Sequence, residues 1–333
     1  MDSVQYNIIR NQLAVSLEIL ITTHNNPDGD AIGSSLALYL LLNRLGYKVS
    51  VIVPNDYPAF LKWLPGTEVI NIYENDEVVC DALIRRADMI FCLDYNALSR
   101  VKLFSDILID SKATKILIDH HIDPSNEFGF SHSRISVSST CELLYEFITG
   151  LGYDNQIDKD IAACLYVGIM TDTGSFSYAC NYSQTYEITA SLIKRGIDAE
   201  QIHREVYDTY SENRMRLLGY CLSDRLMVRL KYQTAYIWLT LNDLERFNHQ
   251  VGDTEGVVNY ALSIEGITLA ALFIERKDRI RISFRSKGEF SVNEFAHRHY
   301  AGGGHRNAAG GDSFSGITET LQKFEELLLI YFG

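Results

Sequence analysis

The chain has 333 residues, 47% of them hydrophobic and 11% aromatic, and carries a formal net charge of −13. That length suits two domains better than one ordinary core, and the composition is globular rather than disordered. An acidic surface disfavours a processive binder of long DNA or RNA, no apolar run reaches membrane-spanning length, and the order of a signal peptide is missing from residues 1–10. Six cysteines without CxxC spacing read as reduced thiols of a cytoplasmic protein.

Along the chain, residues 17–23 read as a strand and 30–45 as a helix that is apolar on most faces, stopped by Gly46. Further strands are expected at 48–53, 89–93 and 115–118. Short continuous β-rich runs with helices between them predict a parallel sheet covered on both faces. Ser139 and Glu142 have capping-box spacing ahead of a helix over 141–150, and a buried helix over 158–170 carries Asp172 just past its end. Residues 186–225 are mostly helical and polar and read as a connector. From about residue 226 the texture changes to strands at 227–230, 235–239, 269–274 and 280–284, with helices near 255–264 and 291–299. The expected architecture is α/β: an N-terminal parallel sheet with helices on both faces over 1–185, then the connector, then a smaller α+β domain over 226–333.

Acidic and histidine residues collect where the apolar runs stop. His24, Asp28 and Asp30 follow the first strand, Asp94 follows Met89-Ile90-Phe91-Cys92-Leu93, and Asp119-His120-His121 closes Lys115-Ile116-Leu117-Ile118. Asp172 lies between threonines after a helix. In parallel sheets, ligands bind at the carboxyl ends of the strands. Histidines and carboxylates gathered there predict a two-metal site, whose chemistry is hydrolysis of a phosphate ester or anhydride, or of a peptide. In the loop itself Gly29 allows a sharp turn, Asp30 can cap the helix and face a metal, and the small residues Gly33, Ser34 and Ser35 let the helix start approach a ligand.

A second cluster falls late in the chain. Gly302-Gly303-Gly304-His305 follows a helix, and consecutive glycines leave backbone N–H groups for an anion. His305 and Arg306 add donors there, and Arg285 can fork onto a phosphate or stack on a base. Arg100, six residues past Asp94, is a further candidate for the cleft. The first strand is not followed by GxGxxG, which excludes a dinucleotide-binding dehydrogenase.

Taken together, Thr23-His24-x-x-x-Asp28-x-Asp30-x-x-Gly33-Ser34, the strand-end Asp94, Asp119-His120-His121 and Gly168-x-x-x-Asp172-Thr173-Gly174 resemble the four motifs of the DHH phosphoesterase superfamily. Ser283-Phe284-Arg285-Ser286, Gly302-Gly303-Gly304-His305 and Ala308-Ala309-Gly310-Gly311 resemble the DHH-associated C-terminal domain. The short layout is similar to the NrnA-type branch of oligoribonucleases and phosphoadenosine-phosphate phosphatases, without room for the extra domains of RecJ-type exonucleases. The resemblance implies one metal on His24, Asp28 and Asp94 and another on Asp30, Asp94, His120 and Asp172. It implies His121 at the scissile phosphate, Asp119 orienting a histidine, and Arg100, Arg285, Ser286, Gly302, Gly303, Gly304, His305 and Arg306 as substrate contacts. Two divalent ions are implied, Mn²⁺ preferred with Mg²⁺ as the alternative, which suits carboxylate and imidazole donors without thiolate.

The expected function is hydrolysis of very short oligonucleotides to nucleoside 5′-monophosphates, together with dephosphorylation of 3′-phosphoadenosine 5′-phosphate. Alternatives on the same site are a linear or cyclic dinucleotide phosphodiesterase and an exopolyphosphatase or pyrophosphatase; a non-catalytic nucleotide sensor is the alternative from another class. The expected partner is a short oligonucleotide or small phosphorylated nucleotide, with no long duplex and no membrane, and a homodimer is admitted as the assembly.

Overall fold

The computed structural model describes residues 1–16 and 18–333; Leu17, the expected first residue of the first strand, lies outside the described residues. Its contacts divide the chain into two units, Met1–Thr209 and Tyr210–Gly333.

In the first unit, β1 (Ile19–Thr23), β2 (Val49–Val53), β3 (Ile70–Ile72), β4 (Met89–Leu93), β5 (Thr114–Asp119) and β6 (Phe130–Ser133) form one sheet. Its order is β3-β2-β1-β4-β5-β6, and every neighbouring pair is parallel. The apolar runs do not alternate with polar residues because both faces are covered. Ile19, Ile21, Phe91, Leu93, Ile116 and Ile118 pack on one side against α1 (Ser3–Leu13), α2 (Gly29–Arg44), α5 (Thr140–Gly150), α6 (Lys159–Asp172), α7 (Ser183–Lys194) and α8 (Ala199–Tyr207). Leu20, Ile52, Ile90, Cys92 and Leu117 pack on the other against α3 (Glu77–Arg86) and α4 (Ser105–Asp110). The stretch read as a connector is shared: α7 and α8 belong to this unit, and α9 (Glu212–Asp224) to the second.

The second unit carries its own six-stranded sheet. β7 (Leu226–Arg229), β8 (Thr234–Leu239), β9 (Leu269–Glu275), β10 (Ile280–Ser286), β11 (Gly303–Gly304) and β12 (Ala308–Ser313) lie in the order β11-β12-β10-β9-β8-β7. β8 and β9 run parallel and the other neighbours antiparallel. One face packs on α12 (Val292–His299) and α13 (Ile317–Phe332) through Phe273, Phe284, Phe295 and Phe324. The other packs on α9, α10 (Leu241–Arg246) and α11 (Val257–Leu262) through Ile237, Leu272, Leu217, Leu244 and Val258. β11 and β12 escape a propensity reading because they are built of Gly-Gly and Ala-Ala-Gly-Gly-Asp-Ser, residues that rarely favour strands.

Three local expectations need correction. Asp28, not Asp30, caps α2: its Oδ1 accepts the N–H groups of Asp30 and Ala31, both at 3.1 Å. Gly33 serves close packing of α2 on α6, where a Cβ would lie 2.5 Å from the Cys164 carbonyl, and so does Gly29, expected at a sharp turn, whose Cβ would lie 2.2 Å from Thr171 Oγ1. Ser139 caps α5, but the Glu142 carboxylate turns back to Ser138 instead of closing a capping box.

Candidate metal centre

The strand order puts β1, β4 and β5 side by side, and each ends in a candidate ligand. His24 follows Thr23, Asp94 follows Leu93, and Asp119 is itself the last residue of β5, with His120 next. The order reverses between β1 and β4, the switch point where the carboxyl ends of an open sheet leave a crevice. α2 brings Asp28 and Asp30 into that crevice by its first turn. α6 brings Asp172 from its last turn, so Asp172 lies inside the helix and not past it. A carboxylate at a helix C-terminus opposes the macrodipole, and such a placement is stabilised by a cation.

Donor atoms of His24, Asp28 and Asp94 lie within 4.8 Å of one another, as do those of Asp30, His120 and Asp172. His24 Nε2 is 3.3 Å from Asp94 Oδ2. His120 Nε2 is 3.3 Å from Asp172 Oδ2, 3.6 Å from Asp94 Oδ1 and 3.8 Å from Asp30 Oδ2. Asp94 therefore presents one oxygen to each group. Its φ of 64° is left-handed, a costly conformation for a residue with a side chain, and it turns the chain out of β4 at this point.

Burial makes the cluster electrostatically unfavourable without a counter-charge. Asp30 is 1% exposed and Asp94 2% exposed. Burial, then repulsion from Asp28, raises the Asp30 carboxyl to about 7. Burial and the neighbouring Asp30, Asp28 and Asp172 push Asp94 well above the usual carboxylate range. Carboxylates held this close and this dry cling to protons unless a cation replaces them. The donor set fits a pair of hard divalent ions: oxygen and imidazole nitrogen, with the thiol of Cys141, whose N–H reaches Asp30, kept protonated because burial and Asp30 push it well up.

Asp119 and His121 form a separate pair. His121 Nδ1 is 2.7 Å from Asp119 Oδ1, and the His121 backbone N–H donates to Asp119 Oδ2 at 3.1 Å. Burial lowers the His121 pKa well below its ordinary value, with Arg100 and His24 acting in the same direction. Burial raises Asp119 to about 6, against the opposing pull of His120. Arg100 is thus close enough for its charge to act on His121 and Asp119, and its carbonyl accepts the Asn25 N–H at 3.0 Å, tying the loop after β4 to the loop after β1.

The late glycine cluster is built differently from the open anion nest expected for it. The Gly304 N–H donates to Asn293 Oδ1 of α12 at 2.7 Å and the His305 N–H to the Ala308 carbonyl across a tight turn at 2.7 Å, so both are already used. Gly302 and Gly304 are required there because a Cβ would sit 2.1 Å from the Gly310 carbonyl and 2.6 Å from that of Ala308. Ser286 is buried and its hydroxyl links Phe290 to Asn307. Arg306 pairs with Glu289, and Arg285 Nη1 donates to the Phe284 carbonyl at 2.9 Å.

Sequence reasoning missed Thr140 and Cys141. Their N–H groups donate to the two oxygens of Asp30, and the Thr140 hydroxyl donates to Asp94. A serine–threonine run ahead of a helix is the only local signal, and it reads as a cap.

A parallel-sheet crevice lined by paired carboxylates and histidines defines a metal-dependent hydrolase class, and the family comparisons narrow it to a phosphoesterase. Residues 18–169 match the DHH family N-terminal domain and residues 231–329 the DHHA1 domain. The chain belongs to the DHH family of phosphoesterases. It is 31% identical over 299 residues to the bifunctional oligoribonuclease and PAP phosphatase NrnA of Thermus thermophilus, covering 89% of this chain and 84% of that one. It is 28% identical over 310 residues to the probable bifunctional oligoribonuclease and PAP phosphatase NrnA of Streptococcus mutans, covering 93% of each. The crystal structure of an exopolyphosphatase-related protein from Bacteroides fragilis matches with a TM-score of 0.94 at 42% identity, over 99% of this chain and 97% of that one. Among the described residues, no helix is long and apolar enough to cross a membrane.

Proposed function

We propose that this chain hydrolyses very short oligonucleotides to nucleoside 5′-monophosphates and removes the 3′-phosphate of 3′-phosphoadenosine 5′-phosphate. The observation that carries the reading is the pair of closely gathered donor groups that meet at the buried Asp94. His24, Asp28 and Asp94 would hold one divalent ion, and Asp30, Asp94, His120 and Asp172 a second. Mn²⁺ is preferred on donor chemistry, with Mg²⁺ as the alternative. When bound, such a pair lowers the pKa of water and offsets charge on phosphoryl oxygens.

The chain's own residues supply the rest. With Asp119 ionised, the proton of neutral His121 lies on Nδ1, which leaves Nε2 to take up a proton and deliver it to the leaving oxygen. Arg100 adds positive charge beside His121 and Asp119, suited to a phosphate. In the second unit, Arg285, His305 and Arg306 are assigned to the end of the substrate away from the reacting phosphate. Ser286, Gly302, Gly303 and Gly304 are assigned to holding that surface in shape. The names of the two NrnA relatives support the substrate class. Six free, buried cysteines support a cytoplasmic site of action, and a homodimer is admitted as the assembly.

A second reading is favoured by the Bacteroides fragilis match, which is described as exopolyphosphatase-related: hydrolysis of polyphosphate at the same centre. One panel separates the two. Dinucleotides, longer oligomers, 3′-phosphoadenosine 5′-phosphate, cyclic dinucleotides and polyphosphate are assayed with Mn²⁺. Preference for dinucleotides and phosphoadenosine-phosphate is the expected result; turnover of polyphosphate alone would overturn it.

A further inference from the structure

Thr140 holds one carboxylate from each of the two donor groups. Its backbone N–H donates to Asp30 Oδ2 at 2.6 Å, and its hydroxyl donates to Asp94 Oδ1 at 2.8 Å. The adjacent Cys141 N–H donates to Asp30 Oδ1 at 2.9 Å, so both Asp30 oxygens face the first turn of α5. Thr140 itself is fully buried. Asp30 opens α2 and Asp94 ends β4, so a third element, α5, joins them.

The turn that presents Thr140 is anchored from behind. Ser139 is the N-cap of α5, its hydroxyl accepting the Glu142 N–H at 3.1 Å. The carboxylate of Glu142, fully buried, accepts at Oε2 from the Ser138 N–H at 3.1 Å, the Ser138 hydroxyl at 2.6 Å and the Thr185 hydroxyl at 2.7 Å. Because Ser139 does the capping, the Thr140 hydroxyl is not needed to start the helix. Its hydrogen bond goes to Asp94.

We infer that Thr140 is a positioning residue that sets the spacing and orientation of Asp30 and Asp94 for the divalent ions. The inference rests on the reading of these two aspartates as cation ligands. Donors behind a ligating carboxylate fix its rotamer and restrain it against the repulsion of its neighbours, which reduces the ordering that must accompany metal binding. Thr140 does this for both donor groups through one rigid residue, so loss of its hydroxyl frees Asp94 to rotate while the Asp30 contact to the backbone remains.

The test uses the full chain with two substitutions. Thr140→Val keeps the shape and removes the hydroxyl; Thr140→Ser keeps the hydroxyl. Mn²⁺ binding to metal-free protein is followed by titration calorimetry, beside the metal-free melting temperature and the turnover of a dinucleotide. Thr140→Val should weaken Mn²⁺ binding by at least ~10-fold and lower kcat by a similar factor with little change in KM, while Thr140→Ser should stay within ~threefold of wild type. The metal-free melting temperature should differ little between the two variants. Wild-type Mn²⁺ affinity in Thr140→Val, or an equal loss in Thr140→Ser, would overturn the inference. A metal-free melting temperature that collapses only in Thr140→Val would assign the hydroxyl to folding and overturn it too. A wild-type chain that binds no Mn²⁺ would remove the functional reading first, and this inference with it.

Discussion

His120 Nε2 lies 3.3 Å from Asp172 Oδ2, which brings the end of β5 and the last turn of α6 together. His121, the next residue, turns instead to Asp119, with Nδ1 2.7 Å from its carboxylate. The two adjacent imidazoles therefore face different partners, which suits the different roles proposed for them. His120→Ala should lower Mn²⁺ content measured by elemental analysis. His121→Ala should keep the metal and lose turnover, by ~10²–10⁴-fold if it is the proton-transfer residue. Full metal content in both variants would remove His120 from the ligand set.

Asp94→Asn is the cleanest probe of the shared carboxylate. The left-handed backbone at Asp94 (φ 64°) is one that asparagine tolerates, so the substitution removes charge without straining the turn. A loss of at least ~10³ in kcat is expected, within the range seen when a key electrostatic group is removed. The circular dichroism spectrum should be unchanged. Turnover within tenfold of wild type, with Mn²⁺ present, would sink the two-ion assignment.

Gly168 links packing to the site. A Cβ there would lie 2.2 Å from Cys141 Sγ and 2.7 Å from Asp30 Oδ1. Gly168→Ala should therefore cost roughly 1–3 kcal/mol of stability by overpacking and also displace Asp30, weakening Mn²⁺ binding. Denaturant unfolding and metal titration measure the two effects. A variant as stable as wild type and with the same Mn²⁺ affinity would show that the α2–α6 contact has room to relax.

Under the proposal that Arg285 and His305 hold the far end of the substrate, their binding energy would orient the reacting phosphate. Arg285→Ala and His305→Ala should reduce kcat/KM strongly for a dinucleotide and only slightly for a small chromogenic phosphodiester. Equal losses on both substrates would mean that these side chains support the fold or the metal centre instead.

The sequence by itself determined the elements that carry the ligands. Apolar runs such as 89–93, unbroken by polar residues, have one stable home, a strand buried on both faces, and β4 occupies those five residues. A charged residue where such a run stops marks the strand end, which is why His24, Asp94 and Asp119 were legible. Short or small-residue elements were not: β3 has three residues, β11 two, and β12 opens with Ala-Ala-Gly-Gly, none long or bulky enough to show a period. Only the tertiary structure decided which strand ends meet, because pairing β1 with β4 and β4 with β5 depends on how helices cover the sheet. It also decided between chemically equivalent candidates. Asp28 and Asp30 are two residues apart and both could cap α2; Asp28 does so because the α5 N–H groups already claim both oxygens of Asp30. The glycines at 302 and 304 likewise look like an open anion loop in isolation. The lack of a side chain at both is required only because β12 lies against them, and the Gly304 N–H is taken by Asn293 of α12; a hydrogen bond needs its partner's position, and a local pattern contains only its own.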